Sequence, residues 1–230
     1  MVDKIDICNF ADDNTLHTCD MRLDKLIDKL ETEASKALLW FENNGMKMNP
    51  DKFHLLVSGK KHEVMIANVG KQKIIETHKV KLLGVIIDSE LKFTDHMTQV
   101  CKKVSKKLNA LSRQCAILPF QKRKMLMQTF ILSQFNFCPL VWMCHNRGIN
   151  NKINELHYRA LRMVYNDNSS TFAKLLEKDG SYTIHQRNIQ YLATEMYKIL
   201  NNLALNSIFA KNKNLTTENV SVNTRSKSLF

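Results

Sequence analysis

Ile5-Asp6-Ile7-Cys8-Asn9-Phe10-Ala11-Asp12-Asp13-Asn14 reads as a strand running into a turn. Apolar and polar residues alternate over 4–10, the period of a strand with one buried face. Asp12-Asp13-Asn14 is turn chemistry, because Asp and Asn bond their own backbone and tolerate tight conformations. Thr15 to Cys19 is then the returning strand. The stretch predicts a β-hairpin with two adjacent carboxylates at its tip and Phe10 and Ala11 just before them. Such a pair suits magnesium, a hard cation that prefers carboxylate oxygen. Two-metal nucleotidyl transfer, with ions about 3.5–4 Å apart, needs a further carboxylate from another strand. Asp6 shares the hairpin strand and Asp88 comes late, so neither is an obvious third ligand. An ordinary acidic turn is the plain alternative.

The downstream residues set that hairpin in an α+β frame. Asp20 is positioned as an N-cap. Leu23, Leu26, Ile27, Leu30, Ala34, Ala37, Leu38 and Phe41 follow at helical spacing, and Gly45 is the stop signal. This helix is expected to pack on the hairpin's sheet. Asn49-Pro50-Asp51 is a turn, 52–58 reads as a strand, and further strands are expected at 63–68 and 72–76. Val80 to Ile87 is strand-like with Gly84 inside it, a sign of a bulge or a close backbone approach.

Beyond Asp88 the pattern becomes helical. Val100, Val104, Leu108, Leu111, Cys115 and Leu118 form a stripe that Pro119 closes, with Lys102, Lys103, Lys106, Lys107 and Arg113 on the opposite side. Helices are expected at 121–135 and 149–165, the latter leaving Arg147, Lys152, Arg159 and Arg162 free to face outward. Ser170 is a candidate cap for a short helix through Leu176. Thr183 with Gln186 fits a capping box, and Ile189, Leu192, Met196, Ile199 and Leu203 continue the last helix. The expected organisation is 1–91, 92–203 and a polar, mobile tail over 204–230.

Charge follows the same division. The chain has 230 residues and a net charge of +12, but residues 1–91 hold 15 acidic and 13 basic side chains against 7 and 21 in the remainder. Between Lys92 and Lys124 nine Lys/Arg face a single acid, Asp95. Polyanion binding is the simplest use of such a half, and a solvated face the bland one. The 6 cysteines show no CxxC spacing, so reduced, mostly buried thiols are expected. Cys138, Cys144 and His145 match no common zinc pattern. No apolar signal core or membrane-length run is visible, and the chain reads as intracellular, in nucleus or cytoplasm. Trp40 and Trp142 have apolar neighbours and read as core. His54, His62, His78 and His96 show no base–nucleophile arrangement.

The motifs gain specificity from their order. After Phe10-Ala11-Asp12-Asp13 come Trp40-Phe41-Glu42-Asn43-Asn44-Gly45-Met46-Lys47-Met48-Asn49-Pro50-Asp51-Lys52, Lys81-Leu82-Leu83-Gly84-Val85-Ile86-Ile87-Asp88 and Leu91-Lys92-Phe93-Thr94-Asp95-His96. Pro139-Leu140-Val141-Trp142 and Leu156-His157-Tyr158-Arg159-Ala160-Leu161-Arg162 follow. The series resembles the reverse transcriptases of non-LTR (LINE-type, jockey-like) retrotransposons over about residues 4–210.

That resemblance implies an RNA-directed DNA polymerase: the end of a palm (hairpin, helix, short antiparallel strands) followed by a basic all-helical thumb-like domain. Asp12 and Asp13 match the magnesium-binding pair, with Phe10 where the family usually has Tyr. Lys52 matches a lysine that assists departing pyrophosphate. Leu83, Gly84 and Val85 match the hairpin that steadies the primer end. Lys102, Lys103, Lys106, Lys107, Arg113, Arg159 and Arg162 would contact the backbone of an RNA template and DNA primer, with deoxynucleotides as substrate. The family's fingers and first half of the palm, with another metal carboxylate, are expected to be missing before Met1, leaving the chain inactive alone. A non-catalytic nucleic-acid-binding protein that uses the basic helices is the second class.

Overall fold

The long amphipathic segment after the first hairpin does not cover that hairpin. The computed structural model describes residues 6–59, 62–115, 117–144 and 146–201. Strands β1 (Asp6–Phe10) and β2 (Asp13–His17) pair antiparallel with Phe10 opposite Asp13. The turn is therefore Ala11-Asp12, one residue earlier than expected. Ala11 has φ of 53°, a left-handed conformation that disfavours residues with a Cβ. Helix α1 (Leu23–Asn43) touches β2 but packs chiefly on the next hairpin, β3 (Ile66–Val69) with β4 (Gln72–Ile75). Ile7 and Phe10 consequently stay exposed.

Local chemistry explains the ends of α1. Asp20 does not cap it: Arg22 occupies that position, and the Asp20 carboxylate accepts from the Arg22 amide (3.0 Å) and from Lys29 Nζ (3.0 Å) just upstream. The C-terminal end behaves as expected. Gly45, at φ 72°, donates to Glu42 O while Met46 donates to Phe41 O, the paired bonds of a Schellman closure. Leu26, Ile27 and Leu30 meet Leu55, Val57, Met65, Ala67 and Ile74 in a small apolar cluster. Leu55 and Val57 are buried as their alternation demands, yet 52–58 is not a ladder strand; Leu55 makes one isolated bridge, to Glu76.

The expected interruption at Gly84 is a hairpin turn. Strands β5 (Lys79–Leu82) and β6 (Val85–Asp88) pair antiparallel around Leu83-Gly84, both with positive φ (45° and 88°). Among the described residues the three hairpins remain separate two-stranded sheets. The Asp88 carboxylate accepts from the amides of Lys92 (3.0 Å) and Phe93 (2.7 Å), which ties β6 to the loop entering α2 (Thr94–Cys115). Asp88 thus holds backbone.

The larger core lies between helices. α2 runs beside α6 (Arg147–Tyr165), and Met97, Val104, Ile153, Ala160, Leu161 and Val164 are sealed between elements. A helical segment that begins as α3 (Phe120–Leu126), passes through a π-helical turn (Met127–Leu132) and ends as α4 (Ser133–Phe135) contributes Met127, Ile131 and Phe135. The short α5 (Pro139–Trp142) inserts Trp142, whose indole N–H donates to Phe137 O at 2.9 Å. α7 (Phe172–Asp179) is capped by Thr171, where Ser170 was expected. α8 (Ile184–Leu200) begins with the anticipated Thr183–Gln186 capping box. Its stripe faces outward: Ile189, Leu192 and Met196 are exposed, while Ile184 and Asn188 are buried. Leu203 and the tail expected over 204–230 lie outside the described residues, as do Met1 to Ile5.

The architecture is mixed α+β. No helix among the described residues is long and apolar enough to cross a membrane.

Candidate nucleic-acid interface

The basic helical faces meet in a groove between α2 and α6. One stretch, about 300 Å³, is lined by Thr98, Cys101, Lys102, Ser105, Lys152, Glu155, Leu156 and Arg159. It exists because α2 and α6 pack through the apolar stripes described above, leaving the shoulder of each helix to form a wall. Lys102 and Lys152 are exposed and Glu155 is the one acid in the lining. Arg159 is half-buried and donates to Asn109 Oδ1 at 2.9 Å, which fixes the guanidinium across the gap from α6 to α2.

Arg159 also lines a second cavity of about 360 Å³, shared with Ser112, Cys115, Arg123, Arg162, Met163, Asn166 and Asn168. Arg162 donates to Asn168 Oδ1 (2.9 Å) and lies 5.4 Å from the Tyr158 ring centroid. Arg123 reaches over from α3 to Met163 O (3.4 Å). The Nε atoms of Arg123 and Arg162 are buried without a hydrogen-bond partner. None of the three arginines is ion-paired among the described residues. Arg159 and Arg162 are therefore half-buried and engaged, where the helical pattern left them free to face outward. The other basic side chains expected on this face are divided. Lys102 joins the groove, while Lys103, Lys106 and Arg113 are exposed and Lys107 half-buried outside either cavity.

The acidic hairpin is a separate feature. Asp12 occupies the turn and Asp13 the first position of β2; both are exposed, and Asp12 O accepts from Asn14 Nδ2 at 3.3 Å. Among the described residues no three His, Cys, Asp or Glu side chains stand together as metal ligands. Two carboxylates on one hairpin leave a two-metal donor set unfinished among the described residues. Lys52 is exposed at the end of a single 3-10 turn (Pro50–Lys52), and no hydrogen bond or ion pair joins it to Asp12 or Asp13 among the described residues.

The Leu83-Gly84-Val85 turn lies beside Phe137, in the segment after α4. A Cβ on Gly84 would meet the Phe137 ring at 3.5 Å, Leu83 is exposed and Val85 is buried. β6 is joined to α2 through the Ile86 amide, which points at His96 Nδ1 (3.4 Å), and Lys79 pairs with Asp95.

Several other expectations change. Cys8, Cys19, Cys138 and Cys144 are exposed, Cys101 is half-buried and only Cys115 is buried, all as free thiols. The exposed thiols sit on β1 and in connecting segments, which hydrophobicity alone does not locate. His145 lies outside the described residues. Trp40 is exposed and stacks edge-on against Phe41 (5.2 Å), because α1 buries the opposite side of its stripe. Trp142 is core, as read.

Two titratable groups inside the helical core carry no sequence signature. His157 is fully buried with neither ring nitrogen partnered, and burial, with Arg187 assisting, lowers its pKa to about 4. Asp179 accepts from Lys124 Nζ (2.9 Å) and Tyr165 Oη (2.9 Å). Burial works against its charge, yet these bonds hold its carboxyl below the usual range, and burial plus the same contact push Tyr165 up to about 12. This network clamps α7 to α3 and α6.

No protein-family model matches the chain, and no curated protein or solved structure matches it at a significant level.

Proposed function

We propose that this chain carries palm-end and thumb elements of an RNA-directed DNA polymerase of the non-LTR retrotransposon type, and that the α2–α6 groove holds the sugar-phosphate backbone of the template–primer duplex. The observation that carries the binding half of this reading is the groove itself. It gathers Lys102, Lys152 and Arg159 on two rigid helices with one acid, Glu155, among them. Cations placed this way make contacts that are independent of sequence and weaken with salt. The polymerase half rests on the motif series, from Asp12-Asp13 through Leu83-Gly84-Val85 to the basic helices. In this reading Asp12 and Asp13 are two of the carboxylates for magnesium, Lys52 serves departing pyrophosphate, and the Leu83-Gly84 turn approaches the primer end.

The unfinished donor set around Asp12-Asp13 favours a second reading, a protein that binds nucleic acid without catalysis. Primer extension on an RNA template with magnesium tests whether the hairpin is catalytic in this chain. The donor set predicts no extension by the 230-residue chain. Extension that disappears in Asp12→Ala would make the hairpin a working metal site and overturn the claim that its ligands are incomplete.

A further inference from the structure

The cavity formed by Arg123, Arg159 and Arg162 differs in its lining from the groove beside it. Its lining has three guanidiniums, the hydroxyl of Ser112, the amides of Asn166 and Asn168, and no carboxylate. Each arginine has five N–H donors. Each has one of them engaged by a neutral oxygen: Met163 O, Asn109 Oδ1 and Asn168 Oδ1. Two Nε–H groups are buried with nothing to receive them. Buried donors without acceptors are costly, and three like charges around one cavity repel. An anion in the cavity relieves both terms at once. The planar forks of arginine match phosphate oxygens in particular.

The number of cations selects the kind of phosphate. A phosphodiester has one charge and two chain exits, whereas a terminal phosphate has about two charges at neutral pH and three free oxygens. Three guanidiniums from α3 and α6 match the charge of the terminal form. Arg159 is shared with the groove, so a strand lying along Lys102 and Lys152 leads into the cavity.

We infer that the Arg123–Arg159–Arg162 cavity is a binding site for a phosphate monoester, the phosphorylated end of a nucleic-acid strand whose backbone lies in the α2–α6 groove. The inference rests on the groove reading for its strand and on the cavity alone for its phosphate. It adds an end-recognition site to what is otherwise sequence-independent binding.

The test is equilibrium binding of single-stranded oligonucleotides of one sequence bearing a 5′-phosphate, a 3′-phosphate or hydroxyls at both ends. One phosphorylated form is expected to bind about tenfold more tightly than the hydroxyl form, the gain of one well-made charged contact. Arg123→Gln combined with Arg162→Gln is expected to abolish that preference, the phosphorylated forms then binding no more tightly than the hydroxyl form. Arg162→Lys, which keeps the charge but not the fork, is expected to retain part of it and guards against misfolding of the double variant. Equal affinity for all three oligonucleotides, or a preference that survives the double variant, overturns the inference. Inorganic phosphate and a nucleoside monophosphate serve as competitors. If either binds as tightly as the phosphorylated strand, the cavity serves a free phosphate and the strand-end assignment is overturned. Loss of hydroxyl-ended binding in Lys102→Ala tests the groove separately, so the two readings fail independently.

Discussion

His157 lies between α6 and α7, its ring edge-on to Phe172 at 5.5 Å, with no partner for either nitrogen. Its folded pKa of about 4 is below the ordinary value of 6.5. The unfolded chain therefore takes up the proton first, and stability present above about pH 6.5 is lost as pH falls toward about 4. The full loss is about 3 kcal/mol. Thermal melts of wild type and His157→Leu at pH 7 and pH 4.5 check this. The variant is expected to show a smaller acid-induced drop in Tm; an equal drop would remove His157 as a source of the pH dependence. Leu83 offers a second single-residue test. It stands at positive φ in the first central position of a two-residue hairpin, where Asn is favoured and Leu is strained. Leu83→Asn is expected to raise stability by about 0.5–1 kcal/mol, read as a higher Tm. The burial of His157 was not legible in the sequence, and the turn at Leu83-Gly84 followed from the resemblance and not from periodicity. A histidine in an apolar stripe carries no mark of its ring contacts, and Leu-Gly inside a Val/Ile run reads as a bulge as easily as a turn.

At the scale of elements, what the sequence discloses depends on whether the signal is local. The Thr183–Gln186 capping box, the Gly45 stop and the α2 and α6 stripes were legible because each is set by residues within a turn or two. Thr183→Ala is expected to cost about 1 kcal/mol through loss of the bond from the Gln186 amide (3.2 Å), measured by chemical denaturation. No change in the denaturation midpoint would mean that α8 begins without help from its cap. Long-range pairing was not legible. The alternation in 52–58 marked buried positions but could not say that a single bridge would replace a ladder. The stripe on α1 could not say which hairpin it covers. On α8 periodicity identified an apolar face without revealing that Ile189, Leu192 and Met196 face outward.

Across the whole molecule, the charge division visible in the composition becomes a surface with shape. The near-neutral first part carries the exposed Asp12-Asp13 hairpin, and the basic helical part builds the groove. Lys102 and Arg159 were legible as basic residues on helices, but only the packing of α2 on α6 brings them to one cavity. Arg123 was missed because it comes from a third helix with no motif around it. The central proposal is that this groove, and not net positive charge, binds nucleic acid. The direct measurement is the affinity of the chain for an RNA–DNA hybrid across a series of salt concentrations. Wild type is compared with Lys102→Ala/Arg159→Ala and with Lys71→Ala/Lys73→Ala, which removes the same charge from exposed positions at the β3–β4 hairpin. The groove variant is expected to lose affinity and to reduce the slope of log affinity against log salt by about 2, with the hairpin variant close to wild type. Equal losses in the two variants, or none in either, would contradict the account.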